Sequence, residues 1–365
     1  MSLFGPETDS ASPRSRRERI GWAAVGIAVV IGLVFALLPS PYVIQQPGPI
    51  YDTLGTTEVD GEEIPLIEIP DEETHPTEGS LDLLTVAAVG RPGRTPGWLD
   101  VTAAWFDPRR AVVPIESVFP PGLTEEDRDA QNEAQMVDSQ QDAIAAALVE
   151  LGYDFPREVV VLGVGEGTPA EGVLEEGDVI LAVDGTEVHS IDELRTALGE
   201  HGTETPAELD VLRGGETLAL EATPEAVGGQ AVLGVGVRMR YEFPIDVQIR
   251  LDDVGGPSAG MMFALGIVDK LTPGAMTGGE LVAGTGTIDS DGSIGGIGGI
   301  RQKLWGAKDH GTDWFLAPEA NCDEVAGNVP DGLEVFAVST LDEARTIVET
   351  VADGGDTSTF ARCEA

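Results

Sequence analysis

Residues 252–271 read DDVGGPSAGMMFALGIVDKL and join a glycine-rich turn to an apolar run. The preceding residues 244–251 alternate apolar and polar side chains, which predicts a strand. Residues 261–271 are apolar on nearly every side of a helix, which predicts a buried helix. Ser258 therefore lies at the start of that helix, where free backbone N–H groups and the positive end of the helix dipole can stabilise an oxyanion. A serine in this position can also serve only as the helix cap.

Residues 256–260, GPSAG, also fit the G-x-S-x-G pattern of the nucleophile elbow in α/β-hydrolases. That fold places an acid and then a histidine after the serine, and His310 is the only histidine that follows Ser258. The remaining chain is too short for the usual sheet of that fold. A nucleophilic Ser258 therefore needs a base other than histidine.

A glycine-rich turn leads into a predicted helix at residues 295–308, GGIGGIRQKLWGAK. Lys303 lies in the first turns of this helix. A lysine acts as a general base only when it is neutral, so burial against apolar neighbours must lower its pKa. Lys303 is therefore the candidate base, whereas Lys308 suits a solvated helix position.

Three ordered motifs resemble the proteolytic domain of Lon-type proteases: GGPSAGMMFAL at 255–265, TGTID at 285–289 and GGIRQKLWGAKDHG at 298–311. The resemblance implies a catalytic Ser–Lys dyad. In it, Ser258 is the nucleophile, Lys303 is the general base, Thr285 orients the lysine, and Gly256 and Ala259 shape the oxyanion site. The resemblance implies no metal and no cofactor.

The chain departs from that family in two respects. The usual aspartate three residues before the serine is Gly255 here, so a regulatory role of that acid is absent or has moved to Asp252 or Asp253. No G-x-x-x-x-G-K-[ST] motif occurs, and the glycine-rich residues 284–296 lack the lysine that would reach a nucleotide phosphate. ATP-driven unfolding is therefore not encoded, and the expected substrate is an extended segment or a flexible tail.

A second resemblance covers residues 159–199. These residues contain a strand, the turn GTPA at 167–170, the strand start EGDVI at 176–180, the turn DG at 184–185 and a helix at 191–198. Together they resemble a PDZ domain of bacterial envelope proteases, which implies that a peptide adds as an extra strand beside an apolar groove. A purely architectural module is the alternative. The loop expected to hold a peptide carboxylate, YDFP at 153–156, departs from the glycine-containing pattern, which leaves open whether a free C-terminus binds.

The N-terminal region contains a long uncharged stretch, from Ile20 to Tyr51. Residues 21–38, GWAAVGIAVVIGLVFALL, predict a transmembrane helix, and the arginines ahead of it place the N-terminus in the cytoplasm. The chain after about residue 40 is then extracytoplasmic. A cleaved signal peptide is the alternative, although the apolar stretch is long for one.

Composition excludes one class of function. Sixty-four acidic residues against 21 basic residues give a formal net charge of -43, which opposes binding to nucleic acid. The two cysteines, Cys322 and Cys363, lack the spacing of a zinc or thioredoxin-type site. We predict that they form a disulfide in an extracytoplasmic setting, with two buried thiols as the alternative.

The layout resembles the membrane-anchored PDZ–Lon proteases of bacteria. We therefore predict an α+β fold in which the PDZ domain is inserted within the Lon-type domain, behind one N-terminal transmembrane helix. The predicted segments are a cytoplasmic N-terminus at 1–19, a transmembrane helix at 20–39, a spacer at 40–75, the first part of the Lon-like region at 76–152, the PDZ domain at 153–226, the Lon-type core at 227–350 and a tail at 351–365.

The predicted function is that of an ATP-independent serine endopeptidase at the cell membrane, with its PDZ and protease domains outside the cytoplasm. Its partners are a protein or peptide substrate and the membrane, through residues 20–39, and no nucleic acid. The resemblance implies a homo-oligomer, with a hexamer as the form common in the family. The alternative is a non-catalytic membrane adaptor, in which the PDZ domain binds peptide and the Lon-like region serves as an assembly platform.

Overall fold

The computed structural model describes residues 16–59, 61–120, 122, 124–251 and 254–363. Most of the predicted cytoplasmic segment, together with Asp252, Asp253 and the last two residues of the tail, lies outside the described residues. The helices are α1 (Arg16–Leu37), α2 (Trp98–Trp105), α3 (Ile115–Val118), α4 (Glu125–Glu150), α5 (Ile191–His201), α6 (Gly260–Leu271), α7 (Ile300–His310), α8 (Cys322–Val325) and α9 (Leu341–Ala352).

The strands are β1 (Tyr42–Asp52), β2 (Thr56–Val59), β3 (Glu62–Pro65), β4 (Ile67–Glu68), β5 (Ser80–Val89), β6 (Ala111–Pro114), β7 (Arg157–Val164), β8 (Val179–Val183), β9 (Thr186–Glu187), β10 (Ala207–Arg213), β11 (Glu216–Ala222), β12 (Glu225–Val227), β13 (Gln230–Val232), β14 (Val235–Tyr241), β15 (Gln248–Ile249), β16 (Leu281–Gly284), β17 (Thr287–Ile288), β18 (Ile294–Gly295), β19 (Trp314–Pro318) and β20 (Glu334–Val338).

One compact unit comprises the described residues within 1–46 and 88–121. The first residues of β1 pair antiparallel with β6, from Tyr42 opposite Pro114 onwards. The Tyr42 ring packs edge-on against Trp98 at 5.9 Å between ring centroids. Within the part of the chain that the structure describes, no helix combines the length and the apolar character needed to cross a membrane.

The second unit comprises residues 47–87 and 122–365. Its main sheet has the strand order β20-β19-β16-β5-β1, and β5, β16, β19 and β20 pair in parallel. Helix α6 packs against α4 and is buried from Gly260 to Asp269, as its apolar sequence predicts. Because α6 is buried, its first residues are held at a fixed position relative to the main sheet.

The predicted spacer at residues 40–75 is wrong, because these residues form part of the fold. They include β1, which belongs to the main sheet, and the fully buried side chains Leu66 and Ile67. Ile67 in β4 pairs opposite Ile249 in β15, close to the sequence that leads to Ser258. Proline, glycine and acidic residues suggested a linker, but the apolar side chains between them pack into the core.

The PDZ segment forms its own antiparallel sheet, with the strand order β11-β10-β8-β7-β14. Helix α5 packs on its core, which contains Leu194, Leu198 and Leu209. The sheet extends past the predicted boundary at residue 226, because β14 pairs with β7 from Val235 to Tyr241. The strands of the main sheet come from both sides of this segment in sequence, with β5 before it and β16 after it.

Candidate active site

The turn before α6 is held in place by α4. The Gly256 N–H donates to the Asn132 carbonyl at 3.1 Å, and Ser139 Oγ donates to the Pro257 carbonyl at 3.0 Å. Gly256 has a φ of +89°, a conformation that favours glycine. A Cβ on Gly255 would lie 2.7 Å from the Asn132 Cβ, so the family's usual aspartate does not fit here without a shift of α4. These contacts fix the backbone on which Ser258 stands.

Ser258 is not the cap of α6. The helix begins at Gly260, and its N-cap is Ala259, which makes no side-chain capping bond. Ser258 is half-buried, and its hydroxyl instead lies 2.7 Å from the Lys303 amine. The interpretation of this serine as a mere helix cap is therefore wrong.

Lys303 occupies the fourth position of α7, and its amine contacts two hydroxyl groups. Its Nζ lies 2.7 Å from Ser258 Oγ and 2.8 Å from Thr285 Oγ1. Thr285 Oγ1 donates to the Ser258 carbonyl at 2.9 Å, so it uses its proton there and accepts from the amine. The lone pair of a neutral amine is then available to the proton of Ser258.

The Lys303 side chain is only 2% exposed. Burial disfavours the ammonium form and lowers the pKa of Lys303 to about 7, from an ordinary value of 10.5. A substantial fraction of the amine is then neutral near pH 7. This is the electrostatic condition that a lysine must satisfy to act as a general base.

The backbone around Thr285 ties the serine turn to the main sheet. The Gly286 N–H donates to the Ser258 carbonyl at 3.0 Å, and the Thr285 N–H donates to the Leu316 carbonyl of β19 at 3.2 Å. The Ser258 carbonyl thus accepts from both the hydroxyl of Thr285 and the next backbone N–H. Ser258 and Lys303 are consequently both hydrogen-bonded to Thr285, which directly follows β16 of the main sheet.

A cavity of about 360 Å³ opens onto Ser258 and Lys303. Most of its remaining lining is apolar and comes from β1, β5, α4 and the serine turn: Pro49, Tyr51, Leu83, Leu84, Val86, Ala87, Met136, Val254 and Ala259. A larger cleft of about 1120 Å³ follows the first half of α4 and shares Met136, Val254 and Gly255 with this cavity. An extended chain could therefore reach the serine along α4.

The other predicted supporting residues lie at the same turn. Ala259 is buried and lines the cavity, whereas Gly256 is half-buried two residues before Ser258. Met261, in the first turn of α6, donates its N–H to the Gly286 carbonyl at 3.2 Å. The start of α6 and the Thr285–Gly286 backbone therefore meet beside Ser258.

The other basic side chains on α7 are Arg301, Lys308 and His310, and none of the three lines the cavity that contains Ser258. Lys308 Nζ donates to the Gly332 carbonyl at 2.9 Å, and His310 Nε2 lies 3.6 Å from Asp82 Oδ2. Across the described ranges, no group of three or more histidine, cysteine, aspartate and glutamate side chains is placed to hold a metal ion.

Cys322 and Cys363 are joined in the structure, with an S–S distance of 2.09 Å. The bond connects the start of α8 to the C-terminal tail. The tail is also held by the Ala361 carbonyl, which accepts from the Ala337 N–H of β20 at 2.9 Å. The tail therefore packs along the main sheet next to the proteolytic core.

Three residues that hold the site together were not predicted from the sequence, namely Asn132, Ser139 and Asn321. Each is a polar side chain or backbone group that contacts a glycine-rich turn distant in sequence. A single sequence carries no signal of such pairings. The only local signal was the glycine content of the two turns, which leaves them few side chains to fix their own position.

The PDZ sheet has a candidate peptide-binding edge at β14. Strand β14 lies at one edge of the described sheet and contacts α5. The turn before β14 is tied to the GTPA turn, because Gly165 and Ala170 donate their N–H groups to the carbonyls of Gly234 and Leu233. A glycine-containing turn therefore precedes β14, whereas the carboxylate loop was expected from the sequence before β7, at residues 153–156, which lack that pattern.

Comparisons with known proteins agree with these two regions. Residues 252–350 match the family model described as the Lon protease (S16) C-terminal proteolytic domain, and residues 131–223 match that of the PDZ domain. A Lon protease of Clostridioides difficile is 36% identical over 91 residues, which cover 24% of this chain and 11% of that protein. A putative zinc metalloprotease of Xylella fastidiosa is 34% identical over 92 residues, which cover 24% of this chain and 21% of that protein.

The likeness is confined to domains. The chain spans about a tenth to a fifth of the length of these curated relatives. The PDZ domain of an SdrC-like protein from Listeria monocytogenes aligns at 22% identity and a TM-score of 0.21, covering 22% of this chain and 85% of that structure, which supports no further argument. The two family models identify the parts of the molecule: the chain carries a PDZ domain and a Lon-type C-terminal proteolytic domain.

Proposed function

We propose that the protein is an ATP-independent serine endopeptidase that uses a Ser258–Lys303 dyad. The observation that carries the proposal is the 2.7 Å separation of Lys303 Nζ and Ser258 Oγ, at a lysine whose pKa burial lowers to about 7. The matched Lon-type proteolytic domain supports a protease. No other titratable side chain lines the cavity apart from Tyr51, so Lys303 is the base that the described residues offer.

The proposed reaction consists of ester formation on Ser258 and hydrolysis of that ester, and Lys303 transfers the proton in both steps. Neutral Lys303 accepts the proton of Ser258 Oγ while the oxygen attacks the substrate carbonyl, which gives a tetrahedral oxyanion and an ammonium group. The ammonium group then gives its proton to the departing amine, and the C–N bond breaks to leave an ester on Ser258. Water attacks that ester with Lys303 again as the base, which releases the new carboxyl end and restores the hydroxyl.

The main experiment measures cleavage of unfolded casein without ATP. Ser258→Ala and Lys303→Ala should each reduce turnover to background while the thermal midpoint stays near that of the natural protein. Lys308→Ala is the matched control, because it removes a lysine from the same helix at a position outside the cavity, and it should keep full activity. Unaltered cleavage by either dyad variant would end the proposal, and no cleavage by the natural protein would favour the adaptor alternative.

We further propose that the PDZ domain captures extended substrate by adding it to the free edge of β14 beside α5. Edge strands present unpaired backbone groups that an extended peptide can use, and the glycine-containing turn at Leu233 and Gly234 leads directly into β14. Saturating a Ser258→Ala variant with unfolded casein should slow amide hydrogen exchange in β14. The opposite edge strand, β11, is the internal control, and slowing in β11 alone would contradict the proposal.

The membrane anchor at residues 20–39, the extracytoplasmic placement and the homo-oligomer, with a hexamer as its expected form, stay predictions of the sequence. The uncharged stretch and the arginines ahead of it support the anchor. The full chain should remain in the membrane fraction after alkaline carbonate extraction. Release into the supernatant would contradict the anchor without affecting the proposed dyad.

A further inference from the structure

The loop that leads into the lysine helix has almost no side chains of its own. Residues 295–299 read GGIGG, and Gly298 lines the cavity beside Ser258 and Lys303. Gly299 is the N-cap of α7 and makes no side-chain capping bond, while its carbonyl accepts from the Lys303 N–H at 3.2 Å. The position of this cavity wall must therefore be fixed from outside the loop.

Asn321 provides that support through both ends of its side-chain amide. Its Oδ1 accepts from the Ile297 N–H at 2.8 Å, and its Nδ2 donates to the Ile297 carbonyl at 2.8 Å. The side chain therefore pairs with the middle residue of the loop much as a neighbouring strand would. A Cβ on Gly296 would lie 3.4 Å from Asn321 Oδ1, which is an ordinary contact distance, so the amide packs directly against the backbone of the loop.

Asn321 itself stands on rigid structure. It ends the 3₁₀ turn Glu319–Asn321, which directly follows β19 of the main sheet. The next residue, Cys322, is bonded to Cys363 of the tail. Asn321 is 9% exposed, so water competes little for its amide. The amide is thus a fixed point to which the glycine loop is attached.

We propose that Asn321 is a positioning residue for the dyad: it holds the glycine loop against the cavity, so that the Lys303 amine stays shielded from water and within reach of Ser258. The inference rests on the proposed function. Without the amide, the loop loses two hydrogen bonds and gains freedom, and water reaches the amine more easily. The ammonium form of Lys303 is then favoured at neutral pH.

The test titrates the lysine directly and compares Asn321→Ala with Asn328→Ala. Asn328 is the matched control, because its amide donates to the Glu324 carbonyl at 2.9 Å in the same region but does not contact the loop. The chain has only three lysines, Lys270, Lys303 and Lys308, so NMR of ¹³C-labelled lysine resolves each one. Asn321→Ala should raise the titration midpoint of Lys303 by about one pH unit, and Asn328→Ala should leave it unchanged.

The pH dependence of kcat provides a second measurement of the same shift. Asn321→Ala should lower kcat about fivefold at pH 7 and much less at pH 9, where the amine is mostly neutral in both proteins. Asn321→Asp keeps the acceptor for Ile297 and should fold even where the alanine variant is unstable, with a shift in the same direction. An unmoved Lys303 midpoint, or equal losses at pH 7 and pH 9, would show a merely structural role and overturn the inference. Failure of the proposed function is distinguishable, because Ser258→Ala would then still cleave casein.

Discussion

The sharpest consequence of the structure is that acylation of Ser258 should follow the neutral fraction of Lys303. With the pKa of Lys303 at about 7, the neutral amine amounts to about 9% at pH 6 and about 90% at pH 8. The rate of ester formation should therefore rise about tenfold between these two pH values. A lysine with its ordinary pKa of 10.5 would be only about 0.3% neutral at pH 8, and the rate would still climb above pH 9.

The rise should be measured in single-turnover experiments with a fluorogenic peptide, so that product release does not mask acylation. Other buried groups have raised pKa values in this range, among them Asp289, where burial and neighbouring carboxylates disfavour the charged form. Asp289→Asn is therefore the control, and it should leave the pH profile unchanged. A midpoint above pH 9, or a midpoint that moves with Asp289→Asn, would refute the reasoning.

Three further predictions follow from individual contacts. Thr285→Val removes the hydroxyl between Lys303 Nζ and the Ser258 carbonyl and should lower kcat about 10- to 100-fold with little change in thermal midpoint; a full rate in the peptide assay would contradict this role. Replacing Cys322 and Cys363 by serine opens a loop of sequence separation 41 and should lower the free energy of unfolding by about 4 kcal/mol in urea denaturation, whereas an unchanged midpoint would argue against the bond. Tyr241→Phe removes the donor to Asp142, whose pKa burial raises to about 6, from an ordinary value of 3.8. The folded state holds the Asp142 proton more tightly than the unfolded state, so the free energy of unfolding falls as pH rises between these two values. Because the Tyr241 hydroxyl bonds the charged carboxylate, Tyr241→Phe should lose about 1–2 kcal/mol of unfolding free energy at pH 8 and less at pH 5. Equal losses at both pH values would contradict this prediction.

The helices that carry Ser258 and Lys303 were predictable because each depends on a short, continuous segment of sequence. The apolar residues after Ser258 predicted the buried helix α6, and the glycine turn before Lys303 predicted the start of α7. The proximity of serine and lysine, 45 positions apart, came from the resemblance to a known family rather than from periodicity. Geometry then removed the interpretation of Ser258 as a helix cap.

The contacts that hold the site were not predictable, because each joins segments far apart in the chain. Ser139 contacts a carbonyl 118 positions away, and Asn321 contacts a loop 24 positions away. The wrong spacer prediction has the same origin. Residues 40–75 look like a linker when their proline, glycine and acid content is considered locally, yet β1 is a strand of the main sheet because distant strands pair with it.

In the proposed reaction, Ser258 becomes covalently attached to the acyl part of the substrate through the action of Lys303. This ester can be detected directly by reacting the protein with a slowly hydrolysed peptide ester, quenching in acid, digesting the protein and locating the added mass. We expect an acyl group on Ser258 in the natural protein, a strongly reduced amount in Lys303→Ala and none in Ser258→Ala. An acyl group on another residue, or cleavage with no adduct that persists in Ser258→Ala, would contradict it.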